Sequence, residues 1–172
     1  MLRSYHFIVD VVRFMPENNL AWSVMKIWVD GDACPKAIKT ILFNAAKRTK
    51  TLLCIVSNHY FDIPPSPFIT RKIVESGFDV VDHYIVEHIE EKDLLITADI
   101  PLADAALTKN AAALNPRGKF YLAENIKQIL ATRNINEVLR DSGMIRGGGS
   151  QMSAKDIQEF SNHLDRYLAQ NR

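Results

Sequence analysis

The chain has 172 residues, 47% of them hydrophobic and 24% charged, and carries a formal net charge of +1. That length and composition fit one globular domain with enough chain to bury a core, and exclude a disordered chain or a disulfide-stapled miniature. Near-neutral charge excludes a globally basic nucleic-acid binder. Any such surface must come from local clusters such as Lys47-Arg48-Lys50, Arg71-Lys72 or Arg117-Lys119, and each of these also reads as an ordinary solvated face.

Residues 1–24 contain an apolar run, Phe7 to Phe14, interrupted by Asp10 and Arg13 and closed by the breaker cluster Pro16-Glu17-Asn18-Asn19. The run is too short and too charged for a membrane span, and no small-residue cleavage site follows it. It reads as an appendage from an upstream start, attached to a single domain over residues 25–172, and no membrane partner is expected. Cys34 and Cys54 show no metal-type spacing, which points to a reducing cytoplasm.

From Met25 onward short apolar runs alternate with longer amphipathic ones. This pattern predicts a three-layer α/β/α fold with a central, mostly parallel sheet. Strands are expected near 26–30, 52–57, 78–82, 94–98 and 119–122. Helices are expected at 35–48, at 67–76 after Pro64-Pro65-Ser66-Pro67, and at 83–91, 101–114, 124–131, 134–142 and 153–169. The last begins at Ser153 with Asp156 at capping-box spacing and carries the stripe Ile157, Phe160, Leu164 and Leu168. Gly147-Gly148-Gly149-Ser150 reads as a flexible connection.

The chemistry concentrates where strands end. Trp28-Val29-Asp30-Gly31-Asp32-Ala33-Cys34-Pro35 runs from a buried strand into a helix whose first position suits Pro35, so Asp30 and Asp32 belong at a strand's carboxyl end. Leu94-Leu95-Ile96-Thr97-Ala98-Asp99 followed by Pro101 repeats the arrangement. Parallel strands end on one side, so Asp30, Asp32 and Asp99 are expected to converge, with Asp82 and Asp104 as outer members. Ionised carboxylates held close together repel unless a cation lies between them, and a hard ion such as Mg²⁺ or Mn²⁺ is the usual answer. Any one of these acids alone would read as a helix cap. His59, His83 and His88 match no histidine-based metal set. Cys34 at a helix start is either a buried inert thiol or one with a lowered pKa.

Taken in order, Met25 to Pro35, Pro64-Pro65-Ser66 with Phe68-Ile69, Gly77 to Asp82, Asp93 to Ala103 and Ala112 to Gly118 resemble the YaiI/YqxD family of uncharacterised bacterial proteins. The resemblance runs from Met25 nearly to the C-terminus and departs at Gly149, where proline is expected, and at Ile157, where arginine is. It implies a fold like the PIN (PilT N-terminal) nuclease domains, whose acids at the sheet edge bind Mg²⁺ or Mn²⁺. Extended to chemistry, it implies metal-dependent hydrolysis of a phosphodiester, with RNA as partner. Asp30, Asp32 and Asp99 would then be catalytic. Asp30, Asp99, Asp32 and Asp82 would hold metal, Asn58 and Thr97 would orient water or a phosphate oxygen, and Lys36, Arg71 and Arg117 would hold flanking phosphates.

Two other readings use the same residues. The chain also looks similar to haloacid-dehalogenase-like phosphatases, with Asp30 as nucleophile, Asp32 as acid/base, Ser57 as phosphate ligand and Asp99 or Asp104 on Mg²⁺. Cys34 and Pro35 depart from that pattern. The other is a non-catalytic module that binds RNA or a protein and keeps its acids for a structural ion.

Overall fold

The structure, a computed structural model, describes residues 25–77, 79–142 and 151–171. The N-terminal appendage, the glycine segment with Gly149, and Phe78, which would open the expected strand 78–82, lie outside the described residues. The elements in chain order are β1 (Lys26–Asp30), α1 (Lys36–Thr49), β2 (Leu52–Ser57), β3 (Ile69–Ile73), α2 (Val80–His88), β4 (Leu94–Ile96), α3 (Ile100–Thr108), β5 (Ala112–Leu114), β6 (Phe120–Tyr121), α4 (Ile126–Asp141) and α5 (Ala154–Gln170).

The sheet has the order β3-β2-β1-β4-β5-β6, parallel throughout except for the antiparallel pairing of β5 with β6. Successive strand residues point to opposite faces, and the core divides accordingly. Ile27, Val29, Ile55, Leu94 and Ile96 pack with Ile38 and Leu42 of α1 and Phe160 and Leu164 of α5. Trp28, Val56, Leu95 and Ala113 pack with Ile85 of α2, Leu102 and Ala106 of α3 and Ile126 of α4. The result is three layers, with β1 buried in the centre because its Ile27, Trp28 and Val29 are apolar on both faces.

Strand order reverses at β1. The chain moves outward through β2 and β3, then returns to place β4 on the other side of β1. A buried acid locks this join at the opposite end from Asp30. Asp93, only 2% exposed, accepts from Lys26 N at 2.8 Å, from the Trp28 indole at 2.9 Å and from Glu90 N at 3.0 Å.

Four sequence expectations are corrected. Residues 67–76 hold strand β3 instead of a helix: Ile69-Thr70-Arg71-Lys72-Ile73 alternates as an edge strand does, with Ile69 buried and Thr70 and Lys72 exposed. Residues 80–82 are helical instead of a strand. Asp79, at φ 57°, turns the chain into α2, and Val81 and Ile85, four apart, supply its buried face. The helix expected at 101–114 stops at Thr108, and Ala112-Ala113-Leu114 forms β5, because pairing with β4 outweighs the helix preference of alanine. The segments expected at 124–131 and 134–142 are one helix, α4, as no glycine or proline interrupts them. The capping box of α5 forms as its spacing predicts, Ser153 Oγ accepting from Asp156 N at 3.1 Å and Asp156 Oδ2 accepting from Ser153 N at 2.8 Å.

Candidate functional site at the carboxyl edge of the sheet

In a doubly wound sheet, ligands bind beyond the carboxyl ends of the strands where strand order reverses. Here that crevice lies between β1 and β4. β1 ends in Asp30, which is 8% exposed, and β4 runs into Thr97, which is 2% exposed. Thr97 joins the two strands' acids: its hydroxyl donates to Asp30 Oδ2 at 3.3 Å and accepts from Asp99 N at 3.0 Å. Asp99 is the N-cap of α3, with Oδ1 accepting from Leu102 N at 2.8 Å. Its other carboxylate oxygen makes no hydrogen bond among the described residues. The turn is anchored from below by the Tyr121 hydroxyl, which donates to the Ala98 carbonyl at 3.4 Å.

Asp99 also lines a cleft of about 570 Å³, together with Asp79, Asp82 and His83 of the α2 start, Pro101, Leu102 and Ala105 of α3, and Arg133 of α4. The electrostatics of this region are those of crowded acids. Burial raises the pKa of Asp30, and Asp32 and Asp99 add to the rise against hydrogen bonds from Ala33 and Thr97. Burial followed by repulsion from Asp99, Asp30 and Asp79 lifts Asp82 from 3.8 to about 6, with His83 opposing. Asp30, Asp82 and Asp99 therefore share one field. Among the described residues, no three His, Cys, Asp or Glu side chains are grouped closely enough to enclose a metal ion.

Asp32 has a different role from Asp30. Its Oδ1 accepts from the Ser57 hydroxyl at 2.6 Å and lies 3.2 Å from His59 Nδ1, and its Oδ2 accepts from Asn58 N at 2.9 Å. Burial raises its pKa, but these three partners outweigh burial and leave it lowered. Asp32 thus ties the end of β1 to the loop after β2. Gly31 makes the tie possible. Its N–H donates to Val56 O at 2.8 Å, and a Cβ there would sit 2.6 Å from Ile55 Cγ2.

The YaiI/YqxD family, described as an uncharacterised BCR family, matches residues 28–170. The chain belongs to that family. A UPF0178 protein of Legionella pneumophila (strain Lens) is 55% identical over 148 residues, which cover 86% of this chain and 100% of the relative. UPF0178 proteins of Colwellia psychrerythraea and Maridesulfovibrio salexigens are 53% and 52% identical, over 85% and 86% of this chain and 97% of each relative. No solved structure gives a significant match. Among the described residues, no helix is long and apolar enough to cross a membrane.

The site residues read from sequence in this family member fall into three groups. Asp30, Asp99, Asp82 and Thr97 come together around the switch point, although Asp82 arrives on the first turn of a helix and not at a strand end. Asp32, Ser57, Asn58 and His59 form the tie beside it. Ser57 is 1% exposed, with its hydroxyl committed to Asp32 and 2.8 Å from the His59 carbonyl, so it offers nothing to a phosphate. The basic residues lie elsewhere. Lys36 is the exposed first residue of α1, Arg71 covers the Tyr60 ring at 4.0 Å and donates to the Phe61 carbonyl, and Arg117 pairs with Asp156 at 2.8 Å at the start of α5. Asp104 is not on the cleft wall, and its carbonyl accepts from Thr108.

Three cleft residues escaped the sequence reading. Asp79 and His83 flank Asp82 on α2, and a helical reading of Asp79 to His83 would have shown them at one helix start. Arg133 carried no local signal, because only the packing of α4 against α3 brings it to the cleft. Cys34 is 6% exposed, and burial pushes its thiol up to about 12. It is the inert alternative.

Proposed function

We propose that this YaiI/YqxD-family chain is a PIN-like, divalent-metal-dependent nuclease that hydrolyses RNA phosphodiesters at the cleft lined by Asp82 and Asp99, beside the buried Asp30. The observation that carries the reading is the gathering of these carboxylates at the place where strand order reverses, where burial first and then repulsion from Asp99, Asp30 and Asp79 lift Asp82 to about 6. The donor chemistry suits Mg²⁺ or Mn²⁺, since Mg²⁺ keeps several waters and takes one or two carboxylates with substrate phosphate, so no enclosing set of three is required. Asp30 and Asp99 would hold the ion. Bound there, it would supply a water of lowered pKa and neutralise charge developing on the phosphate.

The chain's own residues do the rest. Thr97 fixes the two acids relative to one another through its single hydroxyl. Asp82, its carboxyl raised by burial and its acidic neighbours to about 6, is suited to accept a proton from an attacking water. Arg133, on the opposite wall, offers a planar fork to a phosphate's oxygens. The phosphatase reading loses support here, since Ser57 is buried and engaged.

The test is a cleavage assay over single-stranded RNA, structured RNA, DNA and small phosphate esters with Mg²⁺, Mn²⁺ or chelator. RNA cleavage should require metal and fall at least about a hundredfold in Asp99→Asn, the scale of losing one electrostatic partner of a transition state. Turnover of small esters alone would favour the phosphatase. No cleavage with either ion, or unchanged cleavage in Asp30→Asn and Asp99→Asn, overturns the proposal.

A further inference from the structure

We propose that Tyr60 is a stacking platform for an unpaired nucleobase of a single-stranded nucleic acid that crosses the carboxyl edge of the sheet. This deepens the nuclease reading and rests on it for the placement of the scissile phosphate. Tyr60 is 71% exposed, the most exposed of the large apolar side chains among the described residues. An exposed tyrosine is common, but this one is fixed. The Arg71 guanidinium carbon lies 4.0 Å from its ring centroid, and the guanidinium is itself anchored by donation to the Phe61 carbonyl. The phenol donates to Asp62 Oδ1 at 3.3 Å. One ring face is thus covered by a cation and the ring is held in plane, which removes in advance much of the entropy a base would otherwise have to overcome.

The position of the ring relative to the acids gives the occupant. Tyr60 follows His59, whose imidazole, 79% exposed, touches Asp32, which in turn neighbours Asp30. Arg71 pairs with Ile55 in the sheet and so stands on the α1 face, whereas Asp30 shares its parity with Trp28 and opens toward α2 and α3. The edge therefore has two chemistries. On the α1 side lie Tyr60, Arg71 and Lys39, whose ammonium sits 4.6 Å over Phe61, and on the other side lie the carboxylates, with Arg133 on their cleft and Lys72 over Tyr84. Cations interleaved with aromatic rings fit a phosphate backbone carrying unstacked bases, and stacking accepts any base. Duplex bases have both faces already covered. Asp62, beside the ring, has one carboxylate oxygen engaged by the phenol.

The experiment is a fluorescence-anisotropy titration of the full chain in chelator, where no cleavage occurs, against labelled single-stranded RNA, single-stranded DNA of the same sequence and duplex RNA. Both single strands should bind more tightly than the duplex, and a preference between them reports contacts to the sugar added to stacking. Tyr60→Ala should weaken single-strand binding about tenfold, the size of one base-stacking contact, while Tyr60→Phe, which keeps the ring over Arg71 and gives up the Asp62 bond, should lose clearly less. Both variants should melt with the wild type. Equal affinity for duplex, a Tyr60→Ala change under about twofold, an equal loss in Tyr60→Phe, or no binding at all each overturns the platform. RNA cleavage with binding indifferent to Tyr60 leaves the nuclease standing and removes the platform. Tyr60-dependent binding without cleavage does the reverse.

Discussion

Asp82→Asn should make the metal-free protein more stable at neutral pH and leave it unchanged in acid. Burial and the neighbouring Asp99, Asp30 and Asp79 raise the Asp82 carboxyl from 3.8 to about 6 in the folded protein. The folded state therefore holds the proton more tightly than the unfolded chain does between about pH 4 and pH 6, and stability falls as pH rises through that window. Each unit is worth about 1.36 kcal/mol, so a shift of about two units sets a ceiling near 3 kcal/mol. Asp82 is partly exposed, solvent screens its neighbours' charges, and the realistic penalty is about 1 kcal/mol. The amide removes that penalty. In chelator at pH 7.5 the variant should melt about 2–4 °C above wild type, and at pH 4 the two curves should coincide. The pH dependence is the discriminating readout. A gain of the same size at both pH values would mean that the amide packs better for reasons unrelated to charge, and a loss at pH 7.5 would refute a net penalty on the charged Asp82 from burial and its neighbours.

Three further outcomes follow from the geometry. Asp93→Ala strips Lys26 N, Glu90 N and the Trp28 indole of their acceptor in a buried setting and should cost about 3 kcal/mol in urea unfolding, whereas a loss under about 1 kcal/mol would refute its role as the lock between β1 and β4. Gly31→Ala drives a methyl to within 2.6 Å of Ile55 Cγ2 and 2.9 Å of Val56 O and should cost about 1–3 kcal/mol, and a variant as stable as wild type would show that the β1 end has room to move. In a Cys54→Ser background, Cys34 should resist iodoacetamide at pH 8 until denaturant is added, because its thiol is held up at about 12, and labelling of the folded protein at the rate of a free thiol would contradict its burial.

Much of the candidate site was legible because its signals are local. Asp30 ends and Asp99 closely follows an apolar strand, and each precedes a proline suited to a helix start, so the shared edge follows from the chain itself. The α5 capping box and its stripe of Phe160, Leu164 and Leu168 likewise need only their spacing. The close backbone approach of Gly31 to Ile55 and Val56, by contrast, came only from the structure.

What failed were segments whose local preference is weak or misleading. Val80-Val81 is β-branched yet helical, and Ala112-Ala113 is a helix former's sequence yet a strand, because burial against β4 and the sheet decided both. With β3 and β5 added, the sheet has six strands and the order β3-β2-β1-β4-β5-β6, which no periodicity reports. The sequence by itself determined a parallel α/β domain with acids along one edge, since residue type and spacing set which groups end strands and which open helices. Only the tertiary structure decided which acids belong together. Asp82 joins Asp30 and Asp99 through the docking of α2, Asp32 is withdrawn into a tie with Ser57, Asn58 and His59, and Arg133 arrives from a helix more than thirty residues on. Each of these is a contact between distant parts of the chain, and such contacts depend on how whole faces pack, which short-range pattern does not encode.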